Sequence, residues 1–284
     1  MNKFISLLIL LSFIYTNQFS TIESGNIEKF ALMNGRSYVD NIFSPNTHSI
    51  NFSLIKYPSQ VSLNHISYNK DFNDYIINSK LVLLNWGTLS EINDHGDIKK
   101  FKASEKNIEI SILKKFSNQF FLGSSIKYLS SNIDSYNSQY LVQDIGVTKI
   151  LFNNHLQVGL SMENMIRAIN TYSNVDSDYK PRINIGLSYH PQNIDAGVYM
   201  NYLHQNDINS ELIFGVKNKI KDSFILYIGK SFYINKISSY SIYDNFSFGI
   251  GLQRQKYTTN LAIQYIGDLG FVVGSSISIL FNNS

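Results

Sequence analysis

The chain has 284 residues, a formal net charge of +3, no cysteine, and only 16% charged residues beside 14% aromatic ones. The missing cysteines exclude disulfides, thiolate metal sites, a cysteine nucleophile and a lipid-modified N-terminus, while the weak and scattered charge argues against nucleic acid as a partner. Mean hydropathy is −0.10, and the absence of any apolar run of ~20 residues beyond residue 20 excludes a helical membrane protein.

Residues 1–20 open with Lys3 and continue into the apolar stretch Phe4 to Tyr15. A positive start followed by a short apolar core is the pattern of a secretory signal peptide, too short to cross a bilayer comfortably. Ser20 and Ser24 are the candidate residues before the cut, and neither has a clean small-x-small pattern. Residues 21–47 are polar and irregular, and read as an N-terminal periplasmic or plug-like segment.

From residue 48 the sequence alternates with period 2, the signal of strands that are apolar on one face only. Leu156, Val158, Leu160 and Met162 oppose Gln157, Gly159, Ser161 and Glu163. Ile183, Ile185, Leu187 and Tyr189 oppose Asn184, Gly186 and Ser188, and Phe246, Phe248, Ile250 and Leu252 oppose Ser247, Gly249 and Gly251. The same reading along the chain predicts about fourteen strands, starting near residues 48, 61, 78, 103, 120, 139, 155, 182, 194, 211, 223, 245, 257 and 270. Several reach about ten residues, the length that a tilted strand needs to cross hydrocarbon. The last, with Phe271, Val273, Ile277, Ile279 and Phe281 on one face, is followed by the short tail 282–284.

The connections alternate in length from the third strand on. Long ones are predicted at Ile92 to Lys102, Asn132 to Ser138, Ile166 to Pro181, Gln205 to Ser210 and Lys236 to Asp244. Short ones fall at Phe116 to Gln119, Asn153-Asn154, Pro191 to Asn193, Asn218 to Asp222 and Gln255-Lys256. The first two hairpins break the rule, with Pro58 to Gln60 short and Lys70 to Ile77 long. Short turns at one end and long loops at the other are the habit of outer-membrane barrels. In hydrocarbon an unpaired backbone group costs several kcal/mol, so strands without edges are the remaining way across. The expectation is an all-β fold, a transmembrane antiparallel barrel of about 14 strands over residues 48–281, located in the outer membrane and surrounded by its lipid. A soluble sandwich is the competing reading of the same periodicity. Tyr128, Tyr140, Tyr189, Tyr202 and Tyr265 are candidates for interfacial girdles, or are ordinary strand aromatics.

Motifs that carry chemistry are missing. There is no phosphate loop, no nucleophile elbow and no His/Asp/Glu cluster at metal spacing, so no enzyme activity, cofactor or metal is expected. The six histidines are dispersed near strand ends and read as solvated surface. Asp94-His95-Gly96-Asp97 offers too few oxygens for a cation loop and reads as a turn. Four charges, Lys127, Asp144, Glu163 and Arg182, fall on the predicted inward faces. Glu163 and Arg182 flank one loop and are placed to pair at one end of the bore; water and neighbouring charges would satisfy such groups, and a selectivity site is the sharper alternative.

Residues 87–152 carry Gly87-Thr88-Leu89, Asp94-His95-Gly96, Phe101-Lys102-Ala103-Ser104, Gly123-Ser124-Ser125-Ile126-Lys127-Tyr128, Asp134-Ser135-Tyr136 and Asp144-Ile145-Gly146-Val147 in that order. In order and spacing these segments resemble the PorV/PorQ family, outer-membrane barrels of the type IX secretion system related to long-chain fatty-acid transporters. Asn34-Gly35-Arg36-Ser37 and Ser44-Pro45-Asn46 look like remnants of that family's Gly-rich N-terminal segment. The resemblance implies a non-enzymatic, PorQ-like barrel serving type IX secretion and surface attachment, with a PorZ-like surface protein as partner. The alternative is a fatty-acid-transporter-like or porin-like barrel that passes small molecules. A bore lined by Gly, Ser and charge, as the alternation predicts, argues against apolar passage.

Overall fold

The computed structural model describes residues 48–58, 60–92, 98–153, 155–171, 181–205, 210–221, 223–234, 245–267 and 270–281. The expected signal peptide, the N-terminal segment 21–47, the Asp94-His95-Gly96 motif and the tail 282–284 lie outside the described residues, as does most of the connection between Ile166 and Pro181.

Fourteen strands follow one another: β1 (Ser49–Lys56), β2 (Ser62–Phe72), β3 (Tyr75–Ile92), β4 (Ile98–Ser117), β5 (Phe120–Ile133), β6 (Tyr136–Leu151), β7 (Leu156–Asn170), β8 (Arg182–Tyr189), β9 (Ala196–Gln205), β10 (Glu211–Ile220), β11 (Phe224–Tyr233), β12 (Phe246–Arg254), β13 (Tyr257–Tyr265) and β14 (Phe271–Leu280). Each pairs antiparallel with its neighbours in sequence, and β14 returns to β1, so the ring is a closed barrel. Closure answers the soluble-sandwich reading, because no strand is left with a free edge. No helix among the described residues is long and apolar enough to cross a membrane.

The alternation in sequence becomes an inside and an outside. On β4, Asn107, Glu109, Ser111 and Leu113 are buried inward while Ile108, Ile110 and Ile112 are exposed outward. The outward row continues around the ring with Ile126, Ile145, Leu160, Ile185, Val216, Ile228, Phe248, Leu261 and Val273, all exposed. An apolar belt that encircles a whole molecule is far larger than the patches soluble monomers tolerate, and suits hydrocarbon. Aromatic pairs sit above and below it. Phe116 and Phe120 meet at the end of the short turns, with Lys114 Nζ 4.9 Å over the Phe116 ring, and Tyr265 meets Phe271 at the other end. Tyr140, an expected girdle residue, instead points inward and is buried, because the β6 register gives its parity to the bore.

Two expected connections are corrected. The long loop at Lys70 to Ile77 is a two-residue turn at Asn73-Asp74, and the long loop at Asn132 to Ser138 is a two-residue turn at Asp134-Ser135. In both, the first turn residue takes a left-handed φ, 50° at Asn73 and 53° at Asp134, which Asn and Asp tolerate better than most residues. The polar neighbours that read as loop are strand. All connections at the Asn73 end are then short, and the long ones (171–181 and 234–245) lie at the opposite end. Strands β3 to β7 run 14 to 20 residues, against 8 to 11 elsewhere. One wall of the barrel therefore projects beyond the rest at the loop end.

A charge at the middle of the belt tests the outside assignment. Ile110→Arg, at a position 56% exposed, should cost about 2–4 kcal/mol of stability in lipid. Denaturant unfolding in phosphatidylcholine vesicles measures it, and an unchanged midpoint would mean that Ile110 does not face hydrocarbon.

Candidate functional site

The inward faces divide into a polar side and an apolar side. On the polar side, cross-strand register sets charges of alternating sign next to one another. Lys80 of β3 lies opposite Glu109 of β4, which lies opposite Lys127 of β5. Lys80 Nζ is 2.6 Å from Glu109 Oε2, and Lys127 Nζ is 2.6 Å from Asp144 Oδ2 on β6. Ser111 donates to Glu109 at 2.9 Å and Ser125 donates to Asp144 at 3.1 Å. Asp144 also accepts the backbone N–H of Asn164 at 2.8 Å. That amide is freed by an irregularity where β7 shifts register between Gln143 and Ile145 and Asn164 takes φ +60°.

Farther round, Glu163 of β7 and Arg182 of β8 are direct partners. The Arg182 guanidinium binds the Glu163 carboxylate through both Nε, at 3.1 Å, and Nη2. The other carboxylate oxygen accepts from Ser161 at 2.7 Å and from Asn184 at 3.0 Å. Of the four residues singled out from sequence, Lys127 and Asp144 form one pair and Glu163 and Arg182 another. Lys80 and Glu109 were missed; both alternate with the outward residues of their strands, a parity that inspection of β3 and β4 could have found. The six side chains carry three positive and three negative charges, so the wall is polar but neutral, and each charge is hydrogen-bonded, as burial requires. Asn107 Oδ1, Thr148 Oγ1 and Asn184 Oδ1 are buried without a hydrogen-bond partner, which marks this part of the bore as one that needs water.

The apolar side corrects the expectation of a bore lined only by Gly, Ser and charge. Ile55, Leu63, Val82, Leu84, Tyr199, Ile225, Tyr227, Ala262 and Val272 pack into one buried cluster, with Tyr57, Val61, Trp86 and Ile266 against it. These residues come from β1, β2, β3, β9, β11, β13 and β14 and from the connections at the loop end, so the cluster joins walls that are not neighbours in the ring. Trp86 donates its indole N–H to Glu105 at 2.8 Å. Tyr199 is hydrogen-bonded to His190 at 3.1 Å and Tyr227 donates to Asn260 at 3.1 Å. Room for these rings depends on small residues: a Cβ at Gly197 would fall 2.5 Å from the Tyr199 hydroxyl.

Three of the histidines depart from the expected solvated surface. His65 is 2% exposed inside the bore, 3.5 Å from Ser53, and His155 and His190 are part-buried at the short-turn end, joined by a 2.8 Å bond from His155 Nδ1 to the His190 carbonyl. Among the described residues no group of His, Asp and Glu is placed to hold a metal ion.

No protein-family model and no curated protein matches the chain. Among solved structures, it is similar to the toluene transporter TodX of P. putida, with 10% identity over 89% of this chain and 95% of that one and a TM-score of 0.61. A TodX monoaromatic hydrocarbon channel carrying a deltaS2 mutation gives 11% identity, 89% and 94% coverage and a TM-score of 0.59. At this identity the likeness is one of fold.

Removing one member of a buried pair leaves a bare charge. Arg182→Met should therefore cost about 3–5 kcal/mol, and the double change Arg182→Met/Glu163→Leu should restore most of it. Parallel denaturation of the three proteins decides; if Arg182→Met is as stable as the parent, the pair is solvated rather than buried.

Proposed function

We propose that this chain is an outer-membrane barrel that admits small apolar molecules into its bore, with no chemistry performed on them. The carrying observation is the buried cluster of aliphatic and aromatic side chains inside the bore. A water-filled porin has no use for such a lining, whereas an apolar solute exchanges one dry contact for another. The described turns and loops support the orientation, with short turns toward the periplasm and long loops outward. The TodX proteins, described as a toluene transporter and a monoaromatic hydrocarbon channel, share this fold and supply the substrate class to try first.

A β-bulge lies beside the cluster and would give a solute its way out of the bore. The β3–β4 ladder loses register between Asn85 and Thr88, and Gly87 takes φ +78°, a conformation that side chains rarely adopt. Bulges re-aim side chains and interrupt pairing, and this one lies next to Trp86, which packs on the cluster. A solute leaving Trp86 there would meet the bilayer rather than water.

A PorQ-like role in type IX secretion is the second reading. It rests on the ordered segments within residues 87–152, of which the described ones fall on the long strands β3 to β6 and the turn between β5 and β6. A PorZ-like surface protein would be met by that projecting wall.

The single tryptophan of the chain reports on the first reading. Titrating detergent-purified protein with toluene should shift Trp86 emission saturably, and Val82→Asn should weaken the binding roughly tenfold by placing an amide in the dry wall. A linear, non-saturating response would remove the proposal. Because the chain has no cysteine, an Asn85→Cys/Ser104→Cys disulfide across the ladder can hold the bulge shut. Oxidation should slow toluene entry from vesicle lipid, and dithiothreitol should restore it.

A further inference from the structure

The outer surface carries one feature that neither spanning lipid nor passing a solute requires. On β4 the outward row reads Lys100, Lys102, Ser104, Lys106, and then Ile108, Ile110 and Ile112 of the apolar belt, all exposed. Cross-strand register extends this row sideways. Ser104 pairs with Asn85 of β3, Asn85 with Ser62 of β2, and Ser62 with Lys56 of β1. Lys56 is exposed and faces outward as well. Four lysines and the hydrogen-bonding side chains of Ser62, Asn85 and Ser104 thus occupy one outer face, directly above the belt and at the loop end. Strand geometry makes the patch ~20 Å tall on β4 and ~14 Å wide across three strand intervals.

Among the described residues, no acidic side chain of β1 to β4 faces outward with them. Among the described side chains, the nearby carboxylates are committed elsewhere: Glu105 bonds Trp86, Glu109 points into the bore against Lys80, and Asp134 pairs with Lys99 at 2.6 Å. None of the four lysines takes part in the recorded ion pairs or ring contacts of the described residues. The opposite rim of the same strand differs, since Lys114 is held over the rings of Tyr75 and Phe116. Four like charges on one face, with no ion-pair partner among the described residues, repel one another, and an anion relieves the repulsion.

We infer that this face of β1 to β4 binds the phosphorylated headgroup of a glycolipid in the leaflet on the loop side. The position selects a lipid over a free anion: acyl chains would lie on Ile108 and Ile110 while the phosphates meet Lys102, Lys106 and Lys56. Lysine suits the task because it binds phosphate as a mobile point charge, and its alkyl stem can lie along the belt. The inference rests on the membrane reading above but not on what passes through the bore.

The test uses the full barrel in zwitterionic detergent, with diphosphorylated lipid A and its dephosphorylated form as probes and native mass spectrometry as readout. The variant Lys56→Gln/Lys100→Gln/Lys102→Gln/Lys106→Gln should lose roughly a hundredfold in affinity for the diphosphorylated lipid, each lysine near such a surface being worth about tenfold at most. Binding of the dephosphorylated form should not change. Should the fourfold variant fail to fold, the pairs Lys100→Gln/Lys102→Gln and Lys56→Gln/Lys106→Gln should each lose about tenfold. The toluene titration at Trp86 should be unaltered, which separates this result from any failure of the bore. The inference is overturned if the fourfold variant binds like the parent, if Lys114→Gln/Lys149→Gln at the other rim loses as much, or if inorganic phosphate at equal concentration competes fully.

Discussion

The closing seam between β1 and β14 is the contact on which the rest depends. It runs from Ser49↔Leu280 to Lys56↔Val273 and converts a sheet with two open edges into a ring. In water an unpaired edge is a liability for aggregation; in hydrocarbon each bare N–H or C=O costs several kcal/mol, so an open sheet would not insert at all. The seam is held by backbone pairing from two short strands at opposite ends of the described chain, and Pro58, which could not donate to a ladder, stands just beyond the last paired residue. Nothing about the bore has meaning until these two strands meet.

Once the ring is closed and its outside committed to apolar side chains, polar groups can only be accommodated inside or at the rims. The bore accepts them on terms set by burial: Lys80, Glu109, Lys127 and Asp144 alternate in sign across four adjacent strands, and Glu163 with Arg182 balances within itself. Such pairs add little net stability over apolar substitutes, because desolvation consumes most of the attraction. Their retention makes better sense as a way to keep one wall wet while the cluster around Tyr199 and Tyr227 keeps the other dry. A bore with one wet and one dry wall can release water from an apolar solute at one side without exposing bare charge at the other.

Period-2 alternation makes the strand number and most strand starts legible in the sequence, since inside and outside differ at every second residue. What it could not give is register, which is a relation between strands. Glu163 and Arg182 were recognisable because they flank one connection, whereas Lys80 and Glu109 become neighbours only when β3 and β4 are aligned. The dry wall was hidden for a different reason. Leu81-Val82-Leu83-Leu84 is apolar on both faces, so the run does not say which residues point inward. The tight turn at Asp134 was hidden because the strands beside it project past the belt, where both faces are polar and alternation fades.

The lysines of β4 also bear on how the barrel sits. Lys106 and Lys114 bracket the outward isoleucines, and eight residues of a strand tilted by ~40° rise ~20 Å, a little less than the ~25 Å apolar band of such barrels. Lysine stems can reach the remaining distance by extending toward the headgroups. Moving the barrel up or down by one residue pair would drag one of these ammonium groups into hydrocarbon, so the two rows act as stops on either side of the belt. With the height fixed in this way, Trp86 and the interrupted ladder at Asn85 and Thr88 lie above Leu83, the last exposed aliphatic among the described side chains of β3's outward row. The break therefore sits at the level where headgroups meet acyl chains, and a slip in height large enough to bring it into water would be opposed by the same lysines.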